Sequence, residues 1–336
     1  MSGGVDSSVA AALLLKEGHT VEGVTFVTEP SEADSVAVCD AAESARFLGI
    51  PHRVLDISKE FDEKVKKYFV SAYESGLTPN PCVVCNREIK FGIVSRYAEC
   101  EGFDAVATGH YARLRHENGR IYLYCGADMR KDQAYMLSAV PEESLRNAIF
   151  PLGDLTKDEI RRIAEDLGIT TAHKKDSQDI CFVPDGAYAR FIWDHTGHKP
   201  EAGDFIDMDG CILGRHGGIE CYTIGQRKGI GISGRHPYYV VAKNADRNTV
   251  MLGEDEDLFR DELYADDLNW IAFESLTEPV RCAARTRYHQ AETPCTVYPQ
   301  GDRVRVKFDT PIRAITAGQA VVFYDGDIVV GGGCIL

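Results

Sequence analysis

The chain has 336 residues, 44% hydrophobic and 26% charged, with a formal net charge of −15. That length calls for two or three globular domains, no apolar run reaches the length of a membrane span, and the start carries no signal-peptide pattern. So negative a balance excludes a general nucleic-acid coat, because phosphate contacts need clustered cations; only a local basic face remains open. Eleven cysteines, scattered and odd in number, argue for a reducing cytoplasm and thiol chemistry, not a disulfide scaffold.

The first stretch, Ser2-Gly3-Gly4-Val5-Asp6-Ser7-Ser8, runs straight into Val9–Leu15. Its glycines let backbone approach a phosphate, its hydroxyls supply donors, and the positive end of the following helix completes an anion site. The spacing fits neither the Walker A loop nor G-x-G-x-x-G. It resembles the pyrophosphate loop of the N-type ATP pyrophosphatases, which split ATP between its α and β phosphates. The bland alternative is a Gly-Ser turn with a serine N-cap. Such a loop normally follows a buried parallel strand, and this chain starts at Met1. The expectation is a sheet lacking its first strand, through an internal start or truncation, with ATP affinity and stability in doubt.

Val21–Phe26 and His52–Ile57 read as strands, Ala33–Leu48 as a helix stopped by Gly49-Ile50-Pro51, and 59–75 as a helix with Phe61, Val65, Phe69 and Tyr73 at helical spacing. A loop over Leu77–Asn86 leads to a helix near Glu88–Cys100, then a strand over Ala105–Thr108. The alternation predicts an α/β domain with a doubly wound parallel sheet. Its ligands belong beyond the strand ends, where Ser2–Ser7, Phe26 and Gly109 converge. A hairpin over Ala112–Cys125, turning at Asn118-Gly119, breaks that rhythm. Thr156 with Glu159 makes a capping box for a helix to Leu167. From about Gly197 short glycine-rich strands suggest a small β module, and from about Trp270 alternating segments suggest a closed antiparallel barrel. The expected domains are 1–196, 197–268 and 269–336. Charge is segregated: residues 246–280 hold eleven acids against two bases, and 281–313 hold seven bases (Arg281, Arg285, Arg287, Arg303, Arg305, Lys307, Arg313) against three acids. The tail is where an anionic partner is expected to land.

Two further stretches carry chemistry. In Pro79-Asn80-Pro81-Cys82-Val83-Val84-Cys85-Asn86 the prolines fix an extended loop, and Cys85 stands just ahead of a helix whose dipole would favour thiolate. A buried structural cysteine, half of a zinc site and a reactive thiol all fit; lack of a second C-x-x-C disfavours a four-cysteine zinc ribbon. In Lys174-Lys175-Asp176-Ser177-Gln178-Asp179-Ile180-Cys181-Phe182 the lysine pair again favours thiolate at Cys181, with a structural cysteine equally open.

Together with Ala107–Tyr111, Lys131-Asp132-Gln133, Thr223–Gly229 and Thr286-Arg287-Tyr288, these stretches occur in the order found in the bacterial tRNA-specific 2-thiouridylases, which the chain resembles over nearly its whole length. The resemblance implies a domain of the adenine nucleotide alpha hydrolase-like fold at 1–196, a central β-rich domain, and a tRNA-contacting barrel. It implies ATP-dependent sulfur insertion at C2 of the wobble uridine in tRNAs for Lys, Glu and Gln, with a persulfide donor protein as partner. ATP and Mg²⁺ would sit at Ser2, Gly3, Gly4, Val5, Asp6 and Ser7, with Phe26 and Gly109 on the adenine and Asp6 near the metal. Cys181 would carry the persulfide and Cys85 would release its sulfur, a step that could close a Cys85–Cys181 disulfide. Asn80, Pro81 and Cys82 would flank the flipped base. His110, Lys131, Asp132, Gln133, Arg287, Tyr288 and Gln319 match tRNA contacts. Against these roles, His110 reads equally as a hydrogen-bonded strand-end histidine, Lys131 as a solvated cation, and Arg287 as a partner of the acidic segment. Many relatives carry aspartate where Cys82 stands, so Cys82, Cys85 and Cys181 could instead hold a [4Fe–4S] cluster. The rivals are an amine-using ligase of the argininosuccinate or GMP synthetase kind, and an inactive tRNA-binding remnant.

Overall fold

The computed structural model describes residues 1–29, 32–169, 180–183, 186–234 and 236–336, with backbone alone at 32–34. The predicted thiolate-favouring run Lys174–Asp179 therefore lies outside the described residues. The loop enters α1 (Val5–Lys16), followed by β1 (Gly23–Val27), α2 (Glu32–Leu48), β2 (His52–Asp56), α3 (58–74), α4 (81–100) and β3 (Val106–Ala107). The hairpin of β4 (Ala112–Glu117) and β5 (Arg120–Cys125) turns at Asn118 and Gly119, both at positive φ, as a two-residue turn requires. Then come β6 (Ala148–Ile149), α5 (Lys157–Asp166) and α6 (Tyr188–Thr196).

Parallel pairing takes two pieces among the described residues: β1 with β2, and β3 with β6. Met1 lies along β1, its ammonium donating to the Val24 carbonyl while its own carbonyl accepts from the Thr25 hydroxyl (2.7 Å). Behind the loop, Val5, Val9 and Ala10 of α1 pack on Ile160 and Ala164 of α5 and on Ile169. Each fully buried aliphatic side chain there contributes about 1.5–3 kcal/mol. Small residues on α1 let the two helices come close, so both helix N-termini open at the same end of the domain.

The middle module orders its strands β8-β7-β10-β9, from β7 (Gly203–Ile206), β8 (Ile212–His216), β9 (Tyr239–Asn244) and β10 (Thr249–Gly253), around Phe205, Val240, Val250 and Leu252. The barrel uses β11 (Phe259–Trp270), β12 (Val280–Arg285), β13 (Thr293–Gln300), β14 (Arg303–Arg313), β15 (Ala320–Asp325) and β16 (Ile328–Ile335). They run in the order β11-β14-β13-β12-β15-β16, and β11 closes on β16 with Ala265 opposite Ile335. The hairpin extends this sheet, with Leu123 of β5 opposite Val329 of β16. One apolar cluster consequently joins Phe91, Tyr135 and Leu137 of the first domain to Tyr324 and Val329 of the barrel.

Most cations of the expected basic tail meet acids. Asp309 accepts from Arg281 (2.6 Å), Asp261 from Lys307 (2.7 Å) and Asp255 from Arg313 (2.8 Å), and Glu262 lies 3.7 Å from Arg305. Antiparallel pairing of β11 with β14 sets Glu262 opposite Lys307 and Tyr264 opposite Arg305, so the acidic segment lies directly against the basic one. Sequence blocks of opposite sign cancel when strand register places them side by side.

Candidate nucleotide and sulfur-transfer site

Gly3 sits at φ 67°, and a Cβ there would come within 2.5 Å of the Asp40 Cβ, so only glycine fits the bend. Gly4 caps α1 without any side-chain cap, and the Ser7 and Ser8 hydroxyls both donate to its carbonyl (3.1 Å each). Gly109 lies against the loop: a Cβ there would stand 3.1–3.3 Å from Asp6 backbone and side-chain atoms. The cradle thus has its uncapped helix end, its bare glycines and no room for a side chain at the strand end beside it, which fits a bound polyphosphate.

Asp6 is the centre of a network that sequence reasoning missed. Lys157 Nζ donates to both its carboxylate oxygens (2.8 and 3.0 Å), and the Tyr111 hydroxyl donates to Oδ1 (2.8 Å). Lys157 stands 151 residues away in the chain, and only the α1–α5 packing brings it there. The capping box of Thr156 and Glu159, expected from sequence, is what starts α5 at that place.

The two thiol stretches meet. Phe182, next to Cys181, packs edge-on against Phe61 and Phe69 of α3 (5.6 and 5.3 Å between ring centres), in the same cluster as Ile89 and Cys85 of α4. Cys181 and Cys82 are exposed and Cys85 is half-buried. The helix begins at Pro81, capped by Asn80 whose side chain accepts from the Cys82 N–H (3.2 Å), rather than near Glu88. Cys85 therefore opens a run of π turns inside α4, not the helix start, and the expected help from the dipole is absent. Burial pushes the Cys82 and Cys85 thiols up. Burial, then the neighbouring Cys85 and Cys82, push Cys181 up to about 11. At each of the three thiols the Lys90 charge pulls the other way. Burial therefore favours the protonated thiol at all three, while the Lys174-Lys175 pair expected to act on Cys181 lies outside the described residues.

Lys90 connects the two halves of the site. Its Nζ lies 3.4 Å from His110 Nε2, and the Thr108 hydroxyl lies 2.7 Å from Nδ1. A lysine ammonium can only donate, so Nε2 accepts and the ring proton belongs on Nδ1. Burial, with Lys90 beside it, holds His110 well below the usual histidine range. His110 is a buried, neutral, hydrogen-bonded residue between Phe91 and Phe150, not a surface that RNA can touch.

Most other RNA candidates also turn inward. Asp132 is buried, accepts from the Gly126 and Ala134 N–H groups (2.9 and 3.1 Å) and pairs with Arg285. The Gln133 side chain accepts from the Tyr111 N–H (3.1 Å). Lys131 is half-buried. Arg287 does not pair with the acidic segment; it donates to the Ile224 and Ala314 carbonyls (2.8 and 3.2 Å) and to the Thr316 hydroxyl (2.6 Å), clasping the Thr223–Gly229 turn to the barrel. Tyr288 leans on Tyr135. Gln319 donates to the Thr78 carbonyl (2.7 Å) and so steadies the loop entering Asn80. Phe26 is half-buried beside the thiol-bearing cluster.

A small cleft beside Asn80 is lined by Val83, Arg87, Ser138, Gly333 and Cys334, where α4 faces the barrel. A larger one of about 420 Å³ lies among Gly92, Arg96, Asp104 and Asn147, and none of the three thiols lines it. Among the described residues no group of three or more His, Cys, Asp or Glu side chains is arranged to hold a metal ion. Cys82, Cys85 and Cys181 feel one another's charge but are not gathered as cluster ligands, so the [4Fe–4S] alternative does not fit. No helix among the described residues is long and apolar enough to cross a membrane.

Comparisons with known proteins agree with this layout. Residues 1–185 match the family profile described as tRNA methyl transferase HUP domain, 189–254 that of the tRNA methyl transferase PRC-barrel domain, and 260–335 that of the aminomethyltransferase beta-barrel domain. The tRNA-specific 2-thiouridylase MnmA of Symbiobacterium thermophilum is 47% identical over 352 residues, covering 100% of this chain and 90% of the relative. Those of Acetivibrio thermocellus and Clostridium acetobutylicum are 46% and 44% identical, again over 100% of this chain and over 97% and 98% of their own lengths. Matched over its whole length by these relatives at 44–47% identity, this chain belongs to the tRNA-specific 2-thiouridylase family.

Proposed function

We propose that this chain is an ATP-dependent sulfurtransferase that replaces the C2 oxygen of the wobble uridine, U34, of tRNA with sulfur. The observation that carries the reading is the continuous path from Asp6 through Gly109, His110 and Lys90 to the three thiols. An amine-using ligase needs no cysteines at that end of the path.

In this reading Ser2, Gly3, Gly4, Val5, Asp6 and Ser7 hold the phosphates, with Phe26 and Gly109 beside the adenine. Asp6 offers one carboxylate, which suits Mg²⁺ because that ion takes few protein ligands and arrives with phosphate oxygens. ATP supplies an adenylate that makes the C2 oxygen a leaving group. Asn80, Pro81 and Cys82 flank the extruded uracil, held in place by the Gln319 hydrogen bond to the loop. Cys181 bears a persulfide received from a donor protein. Cys85 loses its proton as it attacks the inner sulfur, its thiolate opposed by burial and favoured by the Lys90 charge; the terminal sulfur leaves as hydrosulfide to attack C2, and AMP departs. The resulting Cys85–Cys181 disulfide is returned to two thiols by an external thiol. The acceptors are tRNAs for Lys, Glu and Gln, and a reducing cytoplasm suits the eleven free cysteines. Lys131, Arg287 and Tyr288 lie nearest an RNA role, Arg287 by holding the Thr223–Gly229 turn rather than by meeting phosphate.

The test is mass spectrometry of the wobble uridine after incubation with ATP, a persulfide donor and unmodified tRNA, with AMP release followed in parallel. Wild-type protein is expected to form 2-thiouridine and AMP, and Cys85→Ala and Cys181→Ala to release pyrophosphate on adenylating the tRNA without forming 2-thiouridine. Full thiolation by either variant overturns the sulfur route. Absence of AMP formation in the wild type identifies an inactive tRNA-binding form.

A further inference from the structure

We propose that Cys282 and Cys295 form an oxidative modification site in the barrel, where a low-molecular-weight disulfide converts two facing thiols into a bridge that pins β12 to β13. The inference stands apart from the sulfur-transfer reading and uses none of its three cysteines.

The two residues stand directly opposite each other in the antiparallel pairing of β12 with β13. Both are free, and their sulfurs lie 3.7 Å apart. Opposite residues of antiparallel strands have Cα atoms about 4.5–5.5 Å apart, inside the range of about 4.4–6.8 Å that a disulfide takes. Closing the bond therefore asks for side-chain movement and not for a shift of strands. The other cysteines of the barrel sheet lack such a partner: Cys125 faces Ala112, and Cys334 faces Asp266 and Ala320.

Access to the pair is asymmetric. Cys295 is fully buried in the cluster of Ala284, Val297 and Phe308, whereas Cys282 is half-buried at its edge. A dissolved disulfide thus meets Cys282 first. The Cys282 sulfur bonds to one sulfur of the reagent, and the first small thiol leaves. Cys295 then attacks the Cys282 sulfur, and the second leaves. Two cysteine thiols and one reagent disulfide give one protein disulfide and two small thiols, which carry away both protons. The two electrons pass from the cysteines to the reagent. The hydrogen bond with Cys295, then burial, push the Cys282 thiol up, while Arg281 pulls the other way. The first step is consequently slow, and the pair follows the standing thiol–disulfide balance more than brief bursts of oxidant.

The bridge falls where the sheet can use it. Pro294, beside Cys295 and opposite Ala283, brings no N–H to the ladder. β12 also carries Arg285, which reaches Asp132 of the first domain. A covalent tie to β13 steadies the strand that makes this contact.

The test equilibrates the full chain with oxidised or with reduced glutathione, blocks free thiols with N-ethylmaleimide, and maps tryptic peptides by mass spectrometry. Cleavage at Arg281, Arg285, Arg287 and Arg303 puts the two cysteines in separate peptides that hold no other cysteine. In oxidised glutathione the wild type is expected to give these peptides joined. Glutathione on Cys282 should be about tenfold rarer than the bridge, because the facing thiol resolves it within the molecule. In reduced glutathione both peptides should return as free thiols. C295A should stop at glutathione on Cys282, and C282A should leave Cys295 a free thiol. Amide exchange over β12 and β13 should slow about tenfold once the bridge is closed. Wild-type peptides recovered separately in oxidised glutathione, or with glutathione retained on Cys282, overturn the site, and that result needs neither variant to fold. Unchanged exchange in a bridged chain overturns the pinning.

Discussion

The barrel and the first domain differ in where their charge pairs reach. In the barrel, Arg281, Arg305, Lys307 and Arg313 meet acids across or beside neighbouring strands, at the surface, along a ladder set by β-pairing. The first domain also carries surface pairs, such as Arg53 with Glu101 and Arg146 with Glu142, but there two long-range pairs reach inward: Lys157 with Asp6, and Arg285 from the barrel with Asp132. Surface pairs are screened and almost neutral in energy, whereas a buried pair that loses one partner leaves an uncompensated charge. Sequence segregation of charge thus marked the region where it matters least. The pairs that organise the site join residues that look unremarkable where they stand.

Breaking the buried side of the comparison should give the largest effect. Arg285→Ala strands Asp132, whose side chain is 1% exposed, and removes the Glu292 contact at 2.6 Å. A loss of about 3–5 kcal/mol in denaturant unfolding is expected. Arg287→Ala deletes three donor contacts, one to Ile224 of the middle module and two to Ala314 and Thr316 of the barrel itself. It should cost about 2 kcal/mol and expose the Thr223–Gly229 turn to limited proteolysis.

His110 sharpens the comparison through pH. Its folded form is held neutral, so the unfolded chain binds a proton that the folded one refuses once pH falls below the ordinary histidine value. Stability is full above about pH 6.5 and is lost on acidification, by up to about 1.4 kcal/mol per pH unit from this group. His110→Gln should flatten that slope in unfolding measured between pH 7 and 5. Gln319→Ala removes the barrel's hold on the Asn80 loop. It should lower kcat for thiolation about fivefold, near 1 kcal/mol, read by mass spectrometry of the wobble uridine. Smallest of all, Lys307→Gln and Arg281→Gln should leave both the thermal midpoint and the salt dependence of tRNA binding unchanged, because these cations already face acids. A clear fall in the salt slope would restore the barrel's basic strand as an RNA surface.

Much of the site was legible because it is local. Gly3 requires a positive φ, the Thr156–Glu159 box starts a helix, and Asn118-Gly119 turns a hairpin; each is decided by a few adjacent residues. The cysteines were legible as chemistry but not in their state. Cys85 was read as preceding a helix, yet Asn80 caps one that starts at Pro81, which places the thiol inside the helix and under protein cover. His110 and Asp132 carry RNA-like residue types, but burial gives them structural work.

Local chemistry is written in the order of residues, since a turn, a cap or a phosphate-cradling glycine depends on backbone within a few positions. The sequence by itself therefore determined the loop, the alternation of strands and helices, the closed barrel and the kind of reaction. Only tertiary structure decided which charges cancel, that the hairpin belongs to the barrel sheet, and that Lys157 stands at Asp6. Those outcomes depend on strand register and helix packing between segments far apart in the chain, and burial then sets the protonation state of whatever is brought together.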